Sequence, residues 1–259
     1  MKRIHILQLT IVAALMPMAV SVANAYTGTV ELNAYPGVYP GNGGGEFTAD
    51  TSVNYTGNYA SEATYDGGFE TFCIEVGVEF YPYNEYGTTY NYGIGQISQP
   101  LSNGGEGSAT PLSMGAAWLY YEFAEGYLNG FNYTYSSANG VGTRQYDDNL
   151  LQAAIWAFQG GQTYGSYPSL TSTETSNPYY LAALAALGGT TDADAASDGA
   201  YDVSILQLTD SSGNAAQNQL VMTGTGPTPV PVVPDGGMTL ALLGGSLIGL
   251  QTLRRKLSL

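Results

Sequence analysis

The chain contains one cysteine, Cys73, and one histidine, His5. Cys73 lies in FCIEV (72–76). Three fates are open to such a thiol: a small buried hydrophobe, a link between two chains, or a sulfur covalently occupied within its own chain. A second stretch, NLLQAAIWAFQGG (149–161), reads as an amphipathic helix ended by two glycines. At about 100° per residue, Leu151, Ala154, Ile155 and Phe158 form its core face. Gln152 and Trp156 sit one turn apart on the adjoining flank. A polar surface residue and a packing residue would satisfy that spacing, and so would a pair with a chemical task.

Other chemistry is narrowed by what is missing. His5 falls in a leader segment, so the mature chain has no imidazole for Ser-His-Asp, Cys-His or histidine-zinc chemistry. One cysteine makes neither an internal disulfide nor a multi-thiolate zinc site. Carboxylate pairs that glycoside cleavage would need exist at Glu75/Glu79, Glu122/Glu125 and Asp147/Asp148, but such spacing is non-specific. The run DADAASDGAYD (192–202) departs from the helix-loop-helix calcium pattern, because Ala196 stands where an oxygen ligand is needed. It reads as a solvated acidic loop. No metal or other cofactor is expected, and nothing supports a calcium site.

Both ends carry addresses. Lys2 and Arg3, the apolar stretch Ile11 to Val22, and Ala23-Asn24-Ala25 form a secretory signal (1–25), with Tyr26 as the expected mature start. Export makes an unoccupied thiol a liability, since it oxidises or crosslinks. At the other end, PTPVPVVP (227–234) is a stiff spacer. After it come Asp235-Gly236-Gly237, an apolar run from Met238 to Leu250, and Arg254-Arg255-Lys256. That run spans roughly 20 Å as a helix, short of the ~30 Å hydrocarbon core. It inserts only marginally, with the basic triplet on the cytoplasmic side. Between residues 26 and 253 the chain has 21 acids against a single base, Arg144. Such a surface repels nucleic acid and anionic headgroups.

The elements that must hold Cys73 and Gln152 follow from patterning. TGTVELNAY and GGFETFCIEVGVEFYPY alternate as strands, the latter with Phe72, Ile74, Val76, Val78 and Phe80 on one face and Thr71, Cys73, Glu75 and Glu79 on the other. TPLSMGAAWLYYEFAEGYLNG predicts a helix capped by Thr110, started by Pro111 and stopped at Asn129-Gly130, with Met114, Ala117, Trp118, Tyr121, Ala124 and Leu128 as its stripe. The Gln152 helix is expected to be capped by Asp147 or Asp148, which places Gln152 in the first turn. NPYYLAALAALGG gives a third helix, capped by Asn177 and ended by Gly188. YDVSILQL and QNQLVM flank DSSGN as a hairpin (201–222). The whole predicts one α+β ectodomain (26–226): a mostly antiparallel sheet with about three inserted helices, followed by a linker (227–234) and a sorting tail (235–259) with a short hydrophobic helix.

Two resemblances give these features a function. The tail, with Pro234, Asp235, Gly236 and Gly237, then the apolar helix, then Arg254, Arg255 and Lys256, resembles the tripartite PEP-CTERM sorting signals, closest to the VPDSG-CTERM variant. Gly237 stands where that variant usually has serine. The resemblance implies transient inner-membrane insertion, processing by an exosortase-type protease, and delivery to the cell surface or extracellular matrix. FCIEV paired with LQAAIW (151–156) resembles the two motifs of bacterial thioester domains. That resemblance covers about residues 65–160. It implies an intramolecular thioester, with Cys73 supplying sulfur, Gln152 the acyl carbon, and Phe72, Ile155 and Trp156 the flanking positions. The target would be a surface or matrix nucleophile, a protein amine or a polysaccharide hydroxyl, captured in a single turnover rather than by an enzyme.

On this reading the first-turn N–H groups polarise the Gln152 amide, and the Trp156 ring shields the product from water. Arg144 is expected to pair with Asp147 or Asp148, with lowering of the Cys73 pKa as its other reading. The competing function is a non-covalent, carbohydrate-contacting matrix protein that binds through tyrosine-rich loops.

Overall fold

The computed structural model describes residues 27–33, 45–51, 64–65, 68–76, 88–98, 109–135, 140–160 and 176–223. The expected signal peptide, the linker, the sorting tail and the Val78–Phe80 part of the second strand lie outside these residues. Among the described residues no helix is long and apolar enough to cross a membrane.

The protein is α+β. Among the described residues seven strands form one sheet: β1 (Thr27–Asn33), β2 (Phe47–Thr51), β3 (Thr64–Tyr65), β4 (Gly68–Thr71), β5 (Thr88–Gly95), β6 (Val203–Thr209) and β7 (Gln219–Met222). Their order is β3-β4-β2-β1-β5-β6-β7, and every pairing is antiparallel. Period-2 alternation sends Val30, Leu32, Ala49, Phe69, Tyr92, Ile94, Leu206, Leu208 and Val221 into one core. The opposite face contributes Phe72, Val203, Ile205, Leu220 and Met222 to a second core beneath the helices. β6 is therefore apolar on both faces. The expected hairpin is present, with Asp210 accepting from the backbone of Ser212 and Asn214 to turn the chain.

The sheet curls until its far strands meet. Beyond β4, Ile74 donates to the Asn218 carbonyl (3.0 Å) and Leu220 donates to the Phe72 carbonyl (3.1 Å). The Thr71 hydroxyl donates to the Leu220 carbonyl (2.6 Å). Cys73 and Gln219 form an antiparallel bridge at this seam. Chain segments about 146 residues apart thus close the sheet on itself, which satisfies backbone groups that an open edge would expose. The long strand expected through residue 80 is shorter: β4 ends at Thr71, and residues 74–76 bend. The alternation persists across the seam, with Phe72 and Ile74 on the helix side and Cys73 on the other.

Among the described residues four α-helices cover the sheet: α1 (Met114–Ala124), α2 (Arg144–Phe158), α3 (Pro178–Leu187) and the short α4 (Thr190–Ala193). α3 matches expectation, capped by Asn177 and ended at a left-handed Gly188 (φ 88°). α1 does not start at Pro111. Leu112 donates to the Gln96 carbonyl and Ser98 to that of Thr110, so Thr110–Leu112 runs beside the end of β5, and Ser113 caps the helix instead. α1 also ends earlier than Asn129-Gly130, at Ala124 with Glu125 as its C-cap. Its buried face is Ala116, Ala117, Leu119, Tyr120, Phe123 and Ala124, so Ala117, Ala124 and the following Leu128 of the expected stripe are buried, while Trp118 and Tyr121 pack at the margin. The Tyr120 hydroxyl ties this face to the sheet by donating to the Glu70 carbonyl on β4 (2.7 Å). α1 and α2 approach closely at Gly115, where a Cβ would sit 2.6 Å from the Phe158 ring.

Candidate functional site

α2 begins after Thr143, whose hydroxyl accepts from the Tyr146 N–H. Neither Asp147 nor Asp148 caps it. Asp147 instead accepts from the Asn132 backbone (2.8 Å), and Asp148 is buried inside the second turn. Gln152 therefore lies in the body of the helix, beyond the reach of its free N–H groups, and the expected polarisation by the helix start does not occur. Leu151, Ala154, Ile155 and Phe158 form the anticipated core face. Gln152 (2 % exposed) and Trp156 (7 %) are also buried, because the seam of the sheet lies against that flank.

The structure brings Cys73 and Gln152 together. Gln152 Oε1 accepts from the Cys73 N–H (2.9 Å) and the Gly45 N–H (3.0 Å). Its Nε2 donates to the Cys73 carbonyl (2.8 Å). The carboxamide is clamped edge-on to the backbone of the one residue that carries a thiol. Donors from Gly45 and Cys73 replace those expected from the helix start. Both are ordinary hydrogen bonds to the amide oxygen, aimed at the atom on which charge would gather if the amide carbon were attacked. Phe47, Cys73 and Trp156 form a separate apolar cluster, with Val76 packed on it. Phe72 points the other way and meets Phe123 edge-on, with centroids 5.1 Å apart. Ile155 also belongs to the main core, so both hold the backbone beside the site rather than touching it. Burial pushes the Cys73 thiol far above its ordinary range, offset by a hydrogen bond from Gln219 and reinforced by Glu75.

Arg144 does not pair with Asp147 or Asp148, and it does not lower the Cys73 pKa. Its Nε donates to both carboxylate oxygens of Glu46 (3.1 and 2.8 Å), and Nη2 forms a short ion pair with the same group. Nη1 donates to the Tyr133 carbonyl (2.7 Å). Tyr135, Phe131, Phe123 and Tyr133 surround the guanidinium, the Tyr135 centroid at 3.9 Å. Burial works against the Arg144 charge, and Glu46 more than restores it. Glu70 and Asp148, both fully buried, flank Glu46. Desolvation first, then the Glu46 charge, raises both well above the carboxylate range. One cation and three acids share a buried site, where two of the acids are pushed toward the protonated form. The cluster adjoins the clamp through the chain: Glu46 follows Gly45, and Asp148 precedes Gln152 by one turn.

This cluster sets a pH dependence. Carboxyls whose folded pKa is raised bind protons more tightly in the folded state, so their contribution is full below about pH 4 and is lost as pH rises toward the folded values. Glu75 acts in the same sense: burial raises it to about 7 against hydrogen bonds from Asn218. Its window therefore closes near neutrality. The thermal midpoint is expected to fall between about pH 5 and about pH 8. Asp148→Asn, which fixes the neutral form, should flatten that fall in scanning calorimetry.

Among the described residues no group of His, Cys, Asp and Glu side chains is arranged to hold a metal ion. A cleft of about 620 Å³ lies elsewhere, lined by Thr110, Ser113, Gln159, Tyr180 and Asp194 among others; Cys73, Gln152 and Trp156 take no part in it. Gly45, Glu46 and Gln219 were missed by sequence reasoning. Gly45 acts through its backbone, and Gln219 reaches the site only because the sheet closes. The sorting residues Pro234, Asp235, Gly236, Gly237, Arg254, Arg255 and Lys256 lie outside the described residues. No family model matches the chain, and no curated protein or solved structure matches it.

Proposed function

We propose that this protein is an exported covalent adhesin whose Cys73 and Gln152 condense into a thioester that acylates a nucleophile on a surface or matrix component. The single observation that carries the reading is the two-sided clamp of the Gln152 carboxamide on the Cys73 backbone. In the condensation, the Cys73 sulfur attacks the Gln152 carbonyl carbon. Negative charge moves onto Oε1, where the Gly45 and Cys73 N–H groups already point. The C–N bond breaks, the thiol proton passes to the departing nitrogen, and ammonia leaves. Oxidation states do not change. The Phe47, Trp156 and Val76 cluster around sulfur keeps water from the product. A target amine or hydroxyl then takes the acyl group, Cys73 regains its proton, and the protein is spent after one turnover.

The PEP-CTERM-like tail supports the placement of this chemistry at the cell surface or in the matrix. Exosortase-type processing follows from the same tail, and the C-terminal sequence of the mature protein tests it.

Alkylation tests the thioester, provided it is run in denaturant, because Cys73 is only 1 % exposed and native resistance would prove nothing. The denatured wild-type protein should leave Cys73 unlabelled. Prior treatment of the folded protein with methylamine should expose one thiol per chain and leave one methylamide on Gln152. Immediate, complete labelling of untreated denatured protein would leave only the non-covalent matrix reading.

A further inference from the structure

The seam supplies a residue that the thioester motifs do not include. Gln219 opens β7 and is fully buried. It bridges Cys73 across the seam, so the two side chains project to the same face. Its Nε2 lies 3.4 Å from Cys73 Sγ. Its Oε1 is buried and accepts no hydrogen bond among the described residues. A buried amide with an orphan acceptor is costly and calls for a structural or chemical reason. A half-turn of the terminal amide exchanges the two atoms. Oxygen would then face the sulfur and accept the S–H of the resting thiol.

We infer that Gln219 is a catalytic residue for the proposed thioester chemistry: its amide accepts the Cys73 S–H in the thiol state and, turned over, donates to the sulfur whenever negative charge gathers there. Charge gathers on sulfur twice. During condensation, it appears as the S–H proton passes to the departing nitrogen. During capture, the incoming nucleophile forms its bond to the Gln152 acyl carbon, the C–S bond breaks, and the electron pair returns to sulfur, which takes up the nucleophile's proton. Among the described residues no side-chain cation is free to assist, since Arg144 is held by Glu46. The Gln219 N–H is thus the polar side-chain contact that the structure gives the sulfur. The inference rests on the thioester reading and fails separately from it.

The test compares full-length wild-type protein with Gln219→Met and Gln219→Glu, read by intact mass. Two rates are followed: loss of ammonia in freshly made protein, and uptake of methylamine by the matured form. Removing a donor to a developing charge costs about 10- to 100-fold, so Gln219→Met should slow both rates by that factor. Gln219→Glu gives a signature that a packing role would not. Its carboxyl donates only when protonated, so capture by the variant should approach wild type at acid pH and fall away as pH rises. Wild-type capture rises with pH as the amine deprotonates. If Gln219→Met does not fold, the Gln219→Glu pH profile decides alone. Wild-type protein at full mass would sink the thioester reading itself. Ammonia-light wild type with both variants matching its rates at every pH would overturn the role of Gln219 and leave the thioester standing.

Discussion

Replacing Gln152 by alanine is expected to abolish methylamine capture completely and to leave Cys73 as a free thiol in denaturant. The same change should cost about 3 kcal/mol or more of stability, because three buried backbone groups lose a partner: the Gly45 N–H, the Cys73 N–H and the Cys73 carbonyl. Gln152→Glu separates the two effects. It keeps the oxygen acceptors and the side-chain length, yet offers no amine to expel, so capture should remain absent. Its stability should lie between those of wild type and Gln152→Ala, since a carboxylate at the Nε2 position faces the Cys73 carbonyl oxygen. Urea midpoints and methylamine incorporation, measured on the same preparations, distinguish these outcomes. Capture by Gln152→Ala at the wild-type rate would exclude Gln152 as the acyl residue.

Arg144→Met should destabilise the fold by about 3–5 kcal/mol, the usual consequence of leaving one member of a buried ion pair uncompensated. The effect is large here because Glu46 would share a dry pocket with Glu70 and Asp148 and no cation. Adding Glu46→Gln to Arg144→Met removes the stranded charge and should restore much of the loss. A double-mutant cycle in urea measures the coupling. Additive losses would mean that the pair does not act as a unit. Because Gly45 adjoins Glu46, the single Arg144 variant should also slow ammonia loss by disturbing one of the two Oε1 donors.

The pair at the centre of the site was legible through the resemblance of its two motifs to those of thioester domains; composition and pattern alone left the fate of Cys73 open. A lone cysteine and the flank position of Gln152 beside Trp156 mark the residues that the fold brings into contact. The α3 caps and the β6–β7 hairpin were also readable, because Asn-Pro, a terminal glycine and Asp-Ser-Ser-Gly-Asn act locally. What sequence missed depends on long-range closure. Helix α2 starts at Thr143 rather than at an aspartate, because Asp147 and Asp148 are drawn into tertiary contacts. Arg144 finds Glu46, 98 residues upstream, and no local charge pattern encodes that partner. Gln219 reaches sulfur only because the far strands of the sheet meet there. Of the expected α1 stripe, Ala117, Ala124 and Leu128 are buried, whereas Trp118 and Tyr121 pack at the margin and Leu119, Tyr120 and Phe123 take the core, Tyr120 being tied to the Glu70 carbonyl on the sheet.

The most direct measurement is the intact mass of the purified protein, taken in acid without reductant or amine buffer. A mass one ammonia below that of its residues, restored by methylamine to the mass of the Gln152 methylamide, is the predicted result. A mass equal to the full residue sum would contradict the Cys73–Gln152 bond and the covalent capture built on it.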